Sequence, residues 1–408
     1  MKKLFQFFTF IISNFYFLYA QPTIEWQKSL GGTESEAANS IQQTNDGGYI
    51  VAGLSYSNNN DVTGNHGDSD YWIVKLDSTG IVMWQKSLGG TKEDIANSII
   101  QTIDGGFIVA GWTDSNDSDI TLNRGHNDCW VVKLNSTGII EWQKTLGGTN
   151  SDRATSIQQT SNGGYIVAGW TGSSDGDVTG YLGDEDYWIV KLDSTGVIVW
   201  QKSLGGNSID EANSIIQTND GGFVVAGWTG SNVTGHPGSF DCWIVKLDST
   251  GNIKWQKPLG GTFPDYANSI QQTIDGGYVI AGNSSSSDGD ANVNHGWSDY
   301  WIVKLGSLVN VNEIQNSILD FQISPNPFST ETIFSFRLST TEHVRITIQD
   351  IEGREIKNIG TNNFSVGTNK LSWNATNYAG SKVDAGIYFI TIISDNFSET
   401  KKVILIRN

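Results

Sequence analysis

The densest oxygen-donor chemistry in this chain lies in loops rich in aspartate. Residues 175–186 read DGDVTGYLGDED, which puts Asp175, Asp177, Thr179, Gly180 and Asp186 at relative positions 1, 3, 5, 6 and 12. Those are the ligand and sharp-turn positions of a twelve-residue calcium loop, which gathers hard oxygens around one glycine. Asp117, Asp119, Thr121 and Asp128 repeat the pattern, as do Asp288, Asp290, Asn292 and Asp299. Weaker versions hold Asn59, Asp61, Thr63 and Asp70, or Asn232, Thr234 and Asp241. Position 12 is Asp rather than the longer, bidentate Glu, and no flanking helices are expected. Calcium therefore competes with a solvated loop whose Asn and Asp side chains form Asx turns.

Trp112, Trp170 and Trp228 share one repeat position, where the first copy has Leu54 and the fifth Asn283. Exposed indoles there would stack on sugar rings or on a protein partner; the alternative is packing on a neighbouring repeat. His66, His126, His236 and His295 recur in one loop, too far apart in sequence for zinc, which needs about four ligands near 2 Å. Cys129 and Cys242 stand in different repeats, expected beyond the ~7 Å Cα limit for a disulfide, so both read as buried free thiols. No nucleophile elbow, HExxH or phosphate-binding glycine loop is present. The recurrent Asp70, Asp128, Asp186, Asp241 and Asp299 could pair for glycoside cleavage only within roughly 5 to 9 Å of one another. Equivalent positions of neighbouring repeats are expected farther apart, holding strand ends by accepting backbone hydrogen bonds. The expected role is non-catalytic.

The elements that carry these residues are set by a repeat. WQK tryptophans fall at Trp26, Trp84, Trp142, Trp200 and Trp255, with spacings of 58, 58, 58 and 55 residues. A second series, in DxW[IV]VKL, falls at Trp72, Trp130, Trp188, Trp243 and Trp301. Each of the five copies holds four short apolar segments joined by turns such as TNDGG and DSTG, in which Asp accepts backbone N–H bonds and Gly takes positive φ. Alternation within the segments predicts four antiparallel strands per copy. The region opens with a lone WQKSLGG strand (26–32) and ends with a lone DYWIVKL strand (299–305), a pair that elsewhere forms one hairpin. The expected fold is therefore all-β, a five-bladed β-propeller over residues 21–306 closed by those two strands. An open solenoid is compatible with the period alone. Through WIVKLDSTG and DGGYIVAG the repeats are similar to the sixty-residue delta repeats of bacterial propeller-like proteins, a resemblance that implies no activity.

Composition narrows the function classes. The 408 residues carry 43 acidic against 25 basic side chains, a net charge of −18, 47 glycines and two cysteines. Aromatic content argues against disorder, and the charge argues against sequence-independent nucleic-acid binding, which runs on clustered Lys and Arg. Met1–Ala20, with Lys2 and Lys3 before an apolar run, reads as a secretory signal peptide, and no later segment is apolar for long enough to span a bilayer. Residues 307–320 read as a linker. Beyond them TIFSFRL (332–338), VRITIQD (344–350), KLSW (370–373), GIYFITI (386–392) and KKVILI (401–406) predict a small Ig-like β-sandwich over 321–408.

SPNPF (324–328), IQDIEGREI (348–356), the Trp373 strand, DAGIYFITI (384–392) and the terminal KKVILI resemble the C-terminal sorting domain of the type IX secretion system of Bacteroidota. Ser324 stands where that family often has Tyr. The resemblance implies export by the Sec route, passage across the outer membrane through the type IX machinery, and release or attachment at the cell surface. The expected protein is a secreted or surface-displayed binding module for glycans or surface proteins. The runner-up is a polysaccharide-acting enzyme, and the third reading is a structural surface protein.

Overall fold

The structure, a computed structural model, describes residues 22–233, 239–307, 318–338, 341–394 and 397–407. The expected signal peptide, Thr234, His236 and most of the expected linker lie outside them. Two compact units result, one ending at Gly306 and the other beginning at Ser307.

The first unit is a succession of antiparallel sheets built on the repeat. Sheet 1 pairs β1 (Glu36–Gln43), β2 (Tyr49–Ser55), β3 (Asp70–Leu76) and β4 (Val82–Leu88) in chain order. Sheet 2 holds β5 (Asp94–Gln101), β6 (Phe107–Thr113), β7 (Asp128–Leu134) and β8 (Ile140–Leu146). Sheet 3 holds β9 (Asp152–Gln159), β10 (Tyr165–Thr171), β11 (Asp186–Leu192) and β12 (Ile198–Leu204). Sheet 4 holds β13 (Asp210–Gln217), β14 (Phe223–Thr229), β15 (Asp241–Leu247) and β16 (Ile253–Leu259). Sheet 5 has three strands, β17 (Asp265–Gln272), β18 (Tyr278–Ser284) and β19 (Asp299–Leu305).

Turn chemistry makes the hairpins. Asp46 Oδ1 accepts from Gly48 N at 3.0 Å, and Gly47 adopts φ 80°, a left-handed conformation that glycine reaches without steric cost. Each first strand carries a bulge, as between Ala96 and Ser98, beside a glycine of the second strand. A Cβ on Gly111 would lie 2.0 Å from the Ile95 carbonyl oxygen, so only glycine fits there.

Alternation sends one set of side chains to each face, and successive sheets stack through them. Between sheets 1 and 2, Ile50, Ala52, Tyr71 and Ile73 meet Ala96, Ile99, Phe107 and Trp130 in one apolar cluster. The Tyr71 and Trp130 rings lie 4.6 Å apart, and Tyr71 Oη donates to the Trp130 carbonyl at 3.0 Å. Tyr187 and Trp243 repeat this between sheets 3 and 4. Along the outer strands Trp84 packs edge-on against Phe107, and Trp142 against Tyr165, at 5.7 Å in both cases. Cys129 and Cys242 are buried and unpaired, as the sequence predicts.

The ring expected from the sequence does not close here. Residues 26–32 form no strand, and β19 is left as the edge of sheet 5. Tyr300 on β19 is 96% exposed, whereas its equivalents Tyr71 and Tyr187 are 0% exposed. The physical reason is that the repeat encodes each sheet-to-sheet contact locally, while closure requires the rotations between sheets to sum to one full turn, which no single repeat specifies. Trp26 instead packs on sheet 1, with its ring 5.5 Å from that of Tyr49.

The second unit is a two-sheet sandwich. One sheet pairs β20 (Ile318–Ser324), β21 (Thr332–Leu338) and β24 (Gly367–Trp373). The other runs β23 (Glu355–Phe364), β22 (Glu342–Asp350), β25 (Gly386–Ser394) and β26 (Phe397–Leu405). Phe334, Phe336 and Trp373 from the first meet Ile346, Ile390 and Val403 from the second in one core. β20 begins at Ile318, three residues inside the segment read as linker.

Candidate functional site

The twelve-residue loops do not fold around single centres. Asp117 accepts from Thr91 N and from the Thr91 hydroxyl, both at 2.8 Å, and Asp119 accepts from Gly89 N at 3.1 Å. Both carboxylates thus clamp the glycine turn that leaves β4. Asp175 and Asp177 do the same for Thr149 and Gly147, and Asp288 and Asp290 for Thr262 and Gly260. Position 12 serves another place. Asp128 accepts from Arg124 N at 2.8 Å, Asp186 from Leu182 N at 2.6 Å, and Asp299 from His295 N. Positions 1 and 3 bind back to the preceding sheet, while position 12 faces the following one. Among the described residues no three His, Cys, Asp or Glu side chains converge as a metal cradle.

Asp128 and Asp186 are buried, as is Asp70, and each faces a buried aspartate of the next sheet. A Cβ on Gly89 would lie 2.5 Å from Asp70 Oδ1 and 2.5 Å from Asp94 Oδ2; Gly205 stands in the same way between Asp186 and Asp210. The third strand of one sheet thus sets a carboxylate against the first strand of the next. Asp70, Asp94, Asp128 and Asp186 are fully buried, and desolvation pushes each up to about 6. His66 Nδ1 faces Asp70 at 2.7 Å, and the Arg124 guanidinium, which reaches Asp177 at 2.7 Å, offsets part of the charge around Asp128. These pairs recur 24 residues apart in sequence, a spacing legible only once the stacking is known.

The three tryptophans lie at the same ends of the sheets. Trp112 is 6% and Trp170 is 9% exposed, so neither offers an open indole. The reason is Arg153, whose guanidinium carbon sits 4.3 Å from the Trp112 ring centroid and 5.2 Å from that of Trp170. Its Nη2 donates to Asn127 Oδ1 at 2.7 Å. Trp228 is only partly buried and packs edge-on against Phe240 at 5.0 Å and Tyr266 at 5.5 Å.

Here the repeat breaks. The residue paired with each tryptophan across the first two strands is Ile95, then Arg153, then Glu211. Glu211 and Glu185 share a carboxyl–carboxyl hydrogen bond, and both feel Arg153. Burial first, and then the Glu185 charge, push Glu211 up to about 7, while burial also raises Glu185. Three non-repeating charged groups thus meet between the Trp112–Trp170 pair that Arg153 covers and the Trp228, Phe240 and Tyr266 rings. Motif searches miss such a site. Aligning the five copies column by column finds it, because Arg153, Glu185 and Glu211 are charged where other copies have Ala37, Ser69 or Ile95.

Likenesses to known proteins are of three kinds. An alignment 176 positions long, covering 39% of this chain, is 28% identical to the regulatory protein FlaEY of Caulobacter vibrioides, of which it spans 18%. Among solved structures, PorZ, a surface component of the type IX secretion system of Porphyromonas gingivalis, aligns over 93% of this chain and 53% of its own at 13% identity and a TM-score of 0.34. A sucrose-6-phosphate hydrolase from Lactobacillus gasseri aligns over 92% of this chain and 87% of its own at 12% identity and a TM-score of 0.33. Neither score carries an argument about this chain. Residues 322–406 match the family model described as the secretion system C-terminal sorting domain, and they coincide with the second unit. No described helix is long and apolar enough to cross a membrane. The C-terminal sandwich is a type IX secretion system C-terminal sorting domain, and a domain of this kind indicates export to the cell surface or secretion.

Proposed function

We propose that the exported stack is a non-catalytic binding module whose site is the acidic, aromatic notch around Glu185, Glu211 and Trp228, and that its ligand is a glycan. The observation that carries this reading is the hydrogen-bonded Glu185–Glu211 pair beside the partly open Trp228 and the Arg153 guanidinium. A carboxyl pair holding one proton offers both a donor and acceptors, which is what sugar hydroxyls need, and indole faces suit the apolar face of a sugar ring. Polysaccharide cleavage is the second reading, favoured by a carboxyl near neutral pKa. Its carboxyl spacing argues against it, since hydrogen-bonded carboxyls stand closer than the roughly 5 to 9 Å that retaining or inverting hydrolysis uses.

A polysaccharide array probed with the full secreted chain tests the proposal. Trp228→Ala and Glu211→Gln are expected to weaken binding by tenfold or more, with no release of reducing sugar by the parent chain. Turnover would move the assignment to the enzyme, and no binding to any glycan would remove the glycan.

A further inference from the structure

The two ends of the stack are bare and carry the two halves of one interface. Ile302 on the last sheet is 71% exposed, against 0% for its equivalents Ile73 and Ile189, and Tyr300 beside it is 96% exposed. At the other end Ile41 is 65% exposed, against 1% or less for its equivalents Ile99, Ile157 and Ile215. Beside it a groove of about 290 Å³ runs over the face of sheet 1, walled by Trp26, Leu30, Val51, Trp72 and Val74.

Two series of polar contacts at the interior junctions have their donor and acceptor on these two faces. Asn39, Asn97 and Asn213 each donate to the alanine carbonyl of the next sheet, at 2.8–2.9 Å. Asn268 is the last of that series, and Ala38 carries the matching carbonyl. Tyr71 and Tyr187 each donate to a tryptophan carbonyl; Tyr300 is the last donor, and Trp72 the matching acceptor. Sheet 5 also lacks the outer strand that sheets 1 to 4 possess, while residues 26–32 lie on sheet 1 in the place such a strand takes. Trp26 sits 5.5 Å from Tyr49, as Trp84 sits 5.7 Å from Phe107.

We propose that the exposed face of sheet 5 docks on the exposed face of sheet 1 of a second copy of this chain, with residues 26–32 of that copy added along β19 as its fourth strand. The second copy is the occupant because both faces are bare in one and the same molecule, and because the interface continues the four that already hold the stack together. The contact is heterologous, so it propagates head to tail. An added strand also covers the unpaired backbone of β19, an edge that otherwise invites nonspecific pairing. The register follows β3 on β4, where Ile73 faces Lys86 and Lys75 faces Trp84. Ile302 then faces Lys28, and Lys304 faces Trp26.

Two variants of the full secreted chain, Ile302→Cys and Lys28→Cys, each adding one exposed thiol to the buried Cys129 and Cys242, are made separately and mixed under mild oxidation. The expected result is a disulfide-linked heterodimer on a non-reducing gel from the mixture and from neither variant alone. Sedimentation of the parent chain should show mass rising with concentration, and Tyr300→Asp, which touches only the bare face, should weaken association at least tenfold with unchanged circular dichroism. A parent chain that stays monomeric at all concentrations, with no heterodimer from the mixture, overturns the proposal. So does a double variant that links quantitatively within a single chain, since that shows the stack closing on itself.

Discussion

Asp70, Asp94, Asp128 and Asp186 are buried carboxyls pushed up to about 6, and this fixes the sign of their effect on stability. A carboxyl whose folded value exceeds its unfolded one keeps its proton longer in the native state. Between about pH 4 and 6 the folded chain therefore binds more protons than the unfolded chain, and stability falls as pH rises through that window. Asp46 acts elsewhere, since the Thr44 hydroxyl and the Lys75 amine hold it down at about 2, and its contribution is lost only below about pH 4. The melting midpoint is expected to be higher at pH 5 than at pH 7.5, with Asp128→Asn flattening the difference; calorimetry across that range checks it. The loop carboxylates lead to a second expectation at this scale. Asp117, Asp119, Asp175 and Asp177 already hold backbone N–H groups of the preceding sheet, so we infer that calcium is not needed to order these loops. A chelator is expected to shift the midpoint by less than about 1 °C, and a larger drop would restore calcium as their ligand.

Each complete sheet buries a lysine amine at the turn between its first two strands, and in one sheet the turn offers it an amide in place of a carboxylate. Lys75, Lys133 and Lys246 lie 3.0 Å from Asp46, Asp104 and Asp220. Lys191 meets Asn162 instead, at 3.4 Å, with the Thr160 hydroxyl at 2.7 Å. Burial pulls its amine down to about 8. Charging Lys191 therefore costs stability as pH falls from its ordinary range toward 8, and the cost is in full force at pH 7. Asn162→Asp gives sheet 3 the pair its neighbours have, and is expected to stabilise the stack by ~1 kcal/mol at pH 7, read from denaturant midpoints. The gain should shrink above pH 9, where the amine is neutral. This exception is visible in the sequence as SNGG where the four other copies have NDGG or IDGG, yet its cost depends on the burial of Lys191.

For the whole molecule, the division at Gly306 and Ser307 separates the repeat stack, to which we assign binding as a proposal, from the sorting domain. Each unit has its own core, so deleting 322–406 is expected to leave the melting of the stack within a few degrees of the full chain while abolishing its appearance outside the cell. Fractionation of a producing strain with a type IX system reads the second effect, and calorimetry the first. Accumulation of the truncated chain at the surface would separate export from the sorting domain.

The sandwich and the sheets were legible because their information is local: period-2 alternation, Asx-glycine turns and a 58-residue repeat act within a few residues, and a family signature lies in one stretch. The candidate site was legible only in part. Trp112, Trp170 and Trp228 were found as a column, but that Arg153 covers two of them depends on a strand from a different repeat. The Asp70–Asp94 and Glu185–Glu211 pairs bridge two sheets, and sequence spacing does not report distances between faces. Closure was misjudged for the same reason. Residue patterns state which faces are apolar and which strands match, whereas the rotation from one sheet to the next, and so the fate of the two end faces, is a property of the packed stack alone.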